Sequence, residues 1–196
     1  MITYLIERNC RTMRVIAGEA KGCTLIAPPG LRTRPATELV RGAIFSILYS
    51  VANDWKYVLD LFSGSGSLGI EALSRGAGWV DFVEQTPRCC AIIKQNLEKT
   101  RFTEYAHVHC ADVVKAISFL DKEYNIILMD PPYASPLINT IIEQLANSKI
   151  VGNDSIVVVT HSKRRPLNSD YASLHLFKEH RHGDSSIAFF RKEPVS

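Results

Sequence analysis

The stretch Asp60-Leu61-Phe62-Ser63-Gly64-Ser65-Gly66-Ser67-Leu68-Gly69 reads as the end of a strand, a glycine-rich turn and the opening of a helix. Gly64, Gly66 and Gly69 satisfy the spacing G-x-G-x-x-G, in which missing side chains let backbone amides approach a ligand and let the helix pack closely on the strand. Several classes of nucleotide-cofactor enzyme share this spacing, as do some turns that bind nothing. Its value is positional, because ligands of open α/β sheets sit outside the carboxyl ends of the strands, near the point where strand order reverses.

Outward from this turn, short apolar runs alternate with longer amphipathic ones. Strands are predicted over residues 57–62, 79–84, 105–110, 124–130 and 155–161, and helices over 68–75, 87–99, 113–120 and 136–148, with Pro87 and Pro136 in first turns. Two closing strands, 173–178 and 185–191, flank a turn at His182-Gly183-Asp184. Alternation of strand and helix implies right-handed crossovers and parallel pairing, so the expected fold is α/β, a doubly wound seven-stranded mostly parallel sheet. Upstream, residues 14–17 and 23–27 bracket Lys21-Gly22 as a small hairpin, before the turn-rich Pro28-Pro29-Gly30. Thr37 can then cap a helix with Leu39, Val40, Ala43, Ile44, Ile47 and Leu48 on one face. Residues 1–52 are therefore expected to be an N-terminal extension, hairpin and helix, and 53–196 the catalytic domain.

A chain of 196 residues, 46% of them hydrophobic, supports one sizeable core. No apolar run reaches the roughly 18 residues of a membrane span, and no secretory signal pattern opens the chain, so a soluble cytoplasmic protein is expected. Cys10, Cys23, Cys89, Cys90 and Cys110 are odd in number and lack metal-ligand spacing, which points to free thiols and to no metal. Charge is uneven: residues 1–42 sum to +4, 43–162 to −4 and 163–192 to +4. Basic flanks brought together would suit a phosphate backbone, although a solvated surface has the same composition.

Three carboxylates fall where successive predicted strands end: Asp60, Glu84 and Asp112. Glu84 suits a ribose diol, since a carboxylate can accept both hydroxyl protons, and Asp112 could accept from an adenine amino group. Asp60 beside the glycine turn disfavours a pyrophosphate and suits a cofactor bearing an ammonium and a sulfonium. That combination favours S-adenosylmethionine over a dinucleotide, with Phe62, Ser65 and Gly69 completing the expected cofactor loop. Taken singly, each carboxylate is also a plain strand end or helix cap.

Asp130-Pro131-Pro132-Tyr133 follows the apolar run Asn125-Ile126-Ile127-Leu128-Met129. Two prolines remove two amide donors and hold the preceding residue extended, leaving carbonyls and the Asp130 carboxylate to accept hydrogen bonds. The exocyclic amine of a nucleobase is a weak nucleophile because its lone pair is delocalised into the ring. If Asp130 and the Pro131 carbonyl each accept one N–H, the nitrogen can pyramidalise and aim its lone pair at a methyl donor, with Tyr133 stacking on a base turned out of its stack. An ordinary turn after a strand is the competing reading of these four residues.

The chain resembles the bacterial family of 16S ribosomal RNA guanine-N2 methyltransferases that modify the guanine at position 966. The resemblance rests on Met13 to Gly18 with Lys21-Gly22, Thr33-Arg34-Pro35-Ala36-Thr37 with Val40-Arg41, the Asp60 to Ala77 segment, Asp130 to Tyr133, and His182-Gly183-Asp184-Ser185. Ala36 stands where the family usually has Thr, and residues 1–12 precede its usual start. The resemblance implies cofactor contacts at Asp60, Gly64, Gly66, Glu84 and Asp112, a guanine held by Asp130, Pro131 and Tyr133, and a substrate of 16S rRNA in an assembling small subunit. Arg14, Lys21, Arg32, Arg34 and Arg41 are candidates for gripping RNA phosphate, and Arg34 and Arg41 alternatively for pinning the N-terminal helix over the cofactor. A monomer is expected. Adenine-N6 methylation of nucleic acid, glutamine-N5 methylation of protein, and a non-catalytic S-adenosylmethionine-binding assembly factor use overlapping motifs.

Overall fold

The computed structural model describes residues 12–28, 37–132 and 135–192, so Arg32, Arg34 and Tyr133 lie outside the described residues. The chain opens with an antiparallel pair, β1 (Thr12–Arg14) and β2 (Thr24–Ile26), in the register Arg14↔Thr24. The hairpin strands lie further from the turn than the spacing suggests. The amides of Ile16 and Ala17 do not join a ladder; they donate to the two carboxylate oxygens of Glu71, at 2.8 and 3.0 Å.

Helix α1 (Glu38–Val51) starts where predicted, with the Thr37 hydroxyl accepting from the Val40 amide at 3.3 Å. Val40, Ile44, Phe45 and Leu48 are buried, whereas Leu39 is 69% exposed. The expected apolar face was one residue too wide, because adjacent helical positions point about 100° apart.

The units β3 (Tyr57–Leu61), α2 (Ser67–Ser74), β4 (Trp79–Glu84), α3 (Pro87–Thr100), β5 (Ala106–Cys110), α4 (Val113–Phe119), β6 (Tyr124–Met129), α5 (Ile138–Ala146) and β7 (Val151–Ser162) then alternate along the chain. A two-residue strand β8 (Asp170–Tyr171), β9 (Leu174–His182) and β10 (Ser185–Lys192) follow. The sheet is eight-stranded in the order β5-β4-β3-β6-β7-β10-β9-β8, the seven expected strands plus the short edge strand β8. Strands β3 to β7 pair in parallel, and β10 runs antiparallel between β7 and β9. Strand β7 begins four residues earlier than predicted. Its start is irregular, with Asp154 at φ 63° and a register shift against β6, which hides it from pattern reading.

Side chains of the central strands alternate between two apolar layers, as expected for a sheet covered on both faces. Val58, Val80, Phe82, Ile126, Leu128 and Val158 pack under α1, α2 and α3. Leu59, Leu61, Val83, Ile127, Met129 and Val157 pack under α4 and α5. The hairpin and α1 belong to the first layer, through Val15, Leu25, Ile44 and Phe45. Strand order reverses between β3 and β6, so Asp60 and Asp130 stand on adjacent strands at the crevice where such sheets bind ligands.

Candidate active site

The glycine turn forms as its sequence requires. Gly64 and Gly66 have φ of 56° and 78°, a region open to glycine at no steric cost. Gly69 serves packing instead, since a Cβ there would lie 2.3 Å from the Phe82 ring. Phe62 adopts φ 59° without being glycine, a strained conformation at the mouth of the crevice. The Ser63 hydroxyl donates to the carbonyls of Asp60 and Val83, at 2.6 and 3.1 Å, tying the turn to both flanking strands.

Asp60 is 1% exposed and accepts from the Gly69 amide at 2.9 Å. Burial, against the favourable pull of that amide and reinforced by the charges of Asp130 and Glu84, pushes its carboxyl up to about 8. Glu84 accepts one backbone amide on each oxygen, from Gly64 at 3.0 Å and Thr86 at 2.8 Å. Each oxygen keeps a further lone pair, the acceptor pair that a vicinal diol needs. Asp112 is the N-cap of α4, with one oxygen accepting from Val114 at 2.9 Å and Lys115 at 3.3 Å. Its sequence-level reading as a helix cap and its reading as a cofactor contact are compatible, because the cap uses only Oδ1.

Asp130 is half-buried at the end of β6, Pro131 buried and Pro132 exposed. The Thr160 hydroxyl, 1% exposed on neighbouring β7, donates to Asp130 Oδ1. Thr160 escaped the sequence reading because it ends an apolar run. The usable signal was a polar residue at the carboxyl end of the strand beside Asp130.

Buried polar residues hold the N-terminal hairpin beside this crevice, and they too were missed. Asn96 on α3 is fully buried; its Oδ1 accepts from the Ile26 amide at 2.8 Å, and its Nδ2 donates to the carbonyls of Ile26 and Ser65, both at 2.9 Å. Asn96 thus joins β2 to the glycine turn. Ser74 of α2 donates to the Ala17 carbonyl at 2.6 Å and accepts from the Ala20 amide at 2.9 Å. Gly18 is compulsory here, since a Cβ would fall 1.7 Å from the Ser74 carbonyl oxygen.

Of the basic candidates, Arg14 and Lys21 are exposed on the hairpin. Arg41 is 1% exposed, and its guanidinium donates to the Arg14 carbonyl at 2.6 Å. Burial lowers its pKa, while Glu71, Glu38 and Asp130 favour its charge. Arg41, read from the sequence either as a phosphate grip or as a pin for the N-terminal helix over the cofactor, is buried, and its guanidinium links α1 to β1 through the Arg14 carbonyl. His161, 1% exposed, contacts the carbonyls of Ser162 and Arg165 through Nδ1, both at 3.2 Å, a structural placement. Cys23, Cys89, Cys90 and Cys110 are free thiols, and among the described residues no helix is long and apolar enough to cross a membrane.

A buried carboxyl beside two further carboxylates, next to a glycine turn, fits a ligand that brings positive charge, and Glu84 fits a diol. S-Adenosylmethionine combines both, so the residues present fit that cofactor.

A family model described as "Conserved hypothetical protein 95" matches residues 13–191. "Putative rRNA methyltransferase YlbH" of Bacillus subtilis (strain 168) is 31% identical over 183 residues, covering 92% of this chain and 99% of the relative. "Ribosomal RNA small subunit methyltransferase D" of Escherichia coli (strain K12) is 28% identical over 184 residues, covering 92% and 90%. The solved structure "Putative methyltransferase yhhF from Escherichia coli" aligns with a TM-score of 0.81 at 25% identity, covering 94% of this chain and all of that one.

Proposed function

The chain belongs to the conserved hypothetical protein 95 family, and from that premise we propose that it transfers a methyl group from S-adenosylmethionine to the exocyclic N2 of a guanine in 16S rRNA. The observation that carries the reading is the placement of Asp130, anchored by Thr160 at the end of β6, beside the glycine turn on β3. The names of the relatives support the RNA substrate, and the family resemblance of the sequence supports guanine 966. The substrate would be rRNA within an assembling small subunit, met in the cytoplasm by a monomer.

S-Adenosylmethionine supplies an electrophilic methyl group on a sulfonium. Asp60, Gly64, Ser65, Gly66, Glu84 and Asp112 would hold it, with Phe62 and Gly69 shaping the loop. Asp130 and the Pro131 carbonyl accept the two N–H bonds of the guanine amine, localising its lone pair, and Tyr133 stacks on the base. No strong general base is required, because the amine proton becomes acidic once the methyl has arrived. Residues 1–52 face the RNA, with Arg14, Lys21, Arg32 and Arg34 toward phosphate.

The reading is tested by offering tritiated S-adenosylmethionine with unmodified small-subunit particles, with duplex DNA and with a protein glutamine acceptor in parallel. Label confined to 16S rRNA is expected. Label in DNA or protein would replace the substrate class, and none in any of the three would leave a binding protein.

A further inference from the structure

Beyond Thr160, strand β7 ends at Ser162 and the chain turns through Lys163, Arg164 and Arg165. Each of the three turn amides donates a hydrogen bond. The Arg165 amide donates to the Ser162 carbonyl at 2.9 Å, the Arg164 amide to the Ser162 hydroxyl at 3.3 Å, and the Lys163 amide to the Asp184 carbonyl at 3.2 Å. The buried imidazole of His161 holds the Arg165 carbonyl at 3.2 Å. The Lys163, Arg164 and Arg165 side chains are exposed.

His161 extends the arrangement across the sheet. Its Nε2 lies 3.4 Å from Glu179 of β9, and Glu179 lies 3.5 Å from Arg181, whose side chain is 78% exposed. Lys163 meets Asp184 at 3.2 Å and the Gly183 carbonyl at 3.1 Å, joining the turn to the β9–β10 connection. Among the described residues, Lys163 pairs with Asp184 and Arg181 with Glu179, beside the exposed Arg164 and Arg165 and with His180 and His182 on β9. At about 3.3 Å per strand residue, the turn begins roughly 10 Å along β7 from Thr160, the residue that holds the Asp130 carboxylate.

We infer that residues 163–165 and Arg181 form a phosphate-binding ledge that grips the RNA backbone flanking the base held at Asp130. This rests on the RNA reading proposed above and narrows the basic C-terminal flank, residues 163–192, which the sequence offered only as a charge excess suited to phosphate, to particular side chains. A base turned out of its stack must have its neighbouring phosphates held in place, and exposed cations beside the base-holding carboxylate can take that role. Phosphate contacts of this kind release counterions, which makes their contribution visible in the salt dependence of binding.

The test compares the wild type with the pair Arg164→Glu/Arg165→Glu, with Arg181→Glu, and with Lys94→Glu on the exposed side of α3 as a control reversal. Binding of a fluorescent single-stranded RNA of small-subunit sequence is titrated at several salt concentrations, and methyl transfer to small-subunit particles is followed on the same preparations. The ledge variants are expected to bind RNA about tenfold more weakly, with the log–log salt slope reduced by about 0.7 for each phosphate no longer neutralised, while the control changes neither. Their KM should rise with kcat at saturation retained. Arg164→Ala/Arg165→Ala should show the same direction with smaller size, which keeps the test valid if the glutamates unfold the turn. RNA affinity equal to the control's in all ledge variants would overturn the inference. A ledge-dependent affinity without methyl transfer to RNA would instead overturn the proposed function and leave the ledge standing.

Discussion

Thr160 and Asp130 are joined across neighbouring strands: Met129 of β6 pairs with Val159 of β7, and one residue further the Thr160 hydroxyl donates to the Asp130 carboxylate. The bond engages Oδ1 and restricts the Asp130 rotamer. Replacing Thr160 by Val keeps the shape and removes the donor. kcat is expected to fall about tenfold to a hundredfold, with affinity for S-adenosylhomocysteine unchanged, and Thr160→Ser should restore most of the loss. A merely structural threonine would lower the melting temperature and leave the kcat of the folded fraction intact.

Asp60 predicts a pH dependence. Its carboxyl stands at about 8 against an ordinary 3.8, so folding favours the protonated form. The associated stability is full below about pH 4 and is lost as pH rises toward 8. A cationic ligand reverses the preference by favouring the ionised form. Affinity for S-adenosylmethionine should therefore increase from pH 6 to 8 with proton release, seen by calorimetry in buffers of different ionisation enthalpy. Asp60→Asn should flatten the profile; an equally steep profile in that variant would assign the proton elsewhere.

Asn96 couples the hairpin to the glycine turn. Asn96→Ala leaves the Ile26 amide and carbonyl and the Ser65 carbonyl without that side chain. A loss of about 2–3 kcal/mol in urea unfolding is expected, together with weaker cofactor binding, because Ser65 lies in the turn. Lost stability with cofactor affinity preserved would separate hairpin docking from the site.

Particular residues mark what could be read from the sequence and what could not. Glycine spacing, the strand-final carboxylates and the Asp-Pro-Pro-Tyr run each follow from local chemistry, and alternation of strand and helix implies the parallel sheet, whereas the strand order that unites them depends on pairings between distant segments. Thr160, Glu71, Ser74 and Asn96 were not legible, because their roles depend on partners 30 to 70 residues away. Arg41 was open to two readings because a formal charge does not reveal which way a long side chain turns. Strand β8 is two residues long, too short for any periodic signal. Tyr133, Arg32 and Arg34 stay where the sequence left them, outside the described residues.

Asp81 offers a stability prediction away from the carboxyl ends of the strands. Burial alone would raise its pKa, yet His109 at 2.9 Å, Tyr124 at 2.9 Å and Lys122 at 3.2 Å hold it down to about 2. Its contribution is present above about pH 4 and lost as pH falls toward 2. Asp81→Asn should destabilise by about 1–3 kcal/mol at neutral pH and make acid unfolding shallower between pH 4 and 2, with methyl transfer by the folded protein unchanged. An unchanged acid limb would show that other carboxylates govern it.

The most direct test of the proposed chemistry is the identity of the methylated nucleoside. Small-subunit particles lacking the modification are incubated with S-adenosylmethionine labelled in its methyl group and with either the wild type or Asp130→Ala, then digested to nucleosides and separated by chromatography. Label is expected in N2-methylguanosine with the wild type and in no nucleoside with the variant, which still binds cofactor. Label in N6-methyladenosine, or N2-methylguanosine formed equally by the variant, would contradict the assignment of Asp130 as the group that holds a guanine amine.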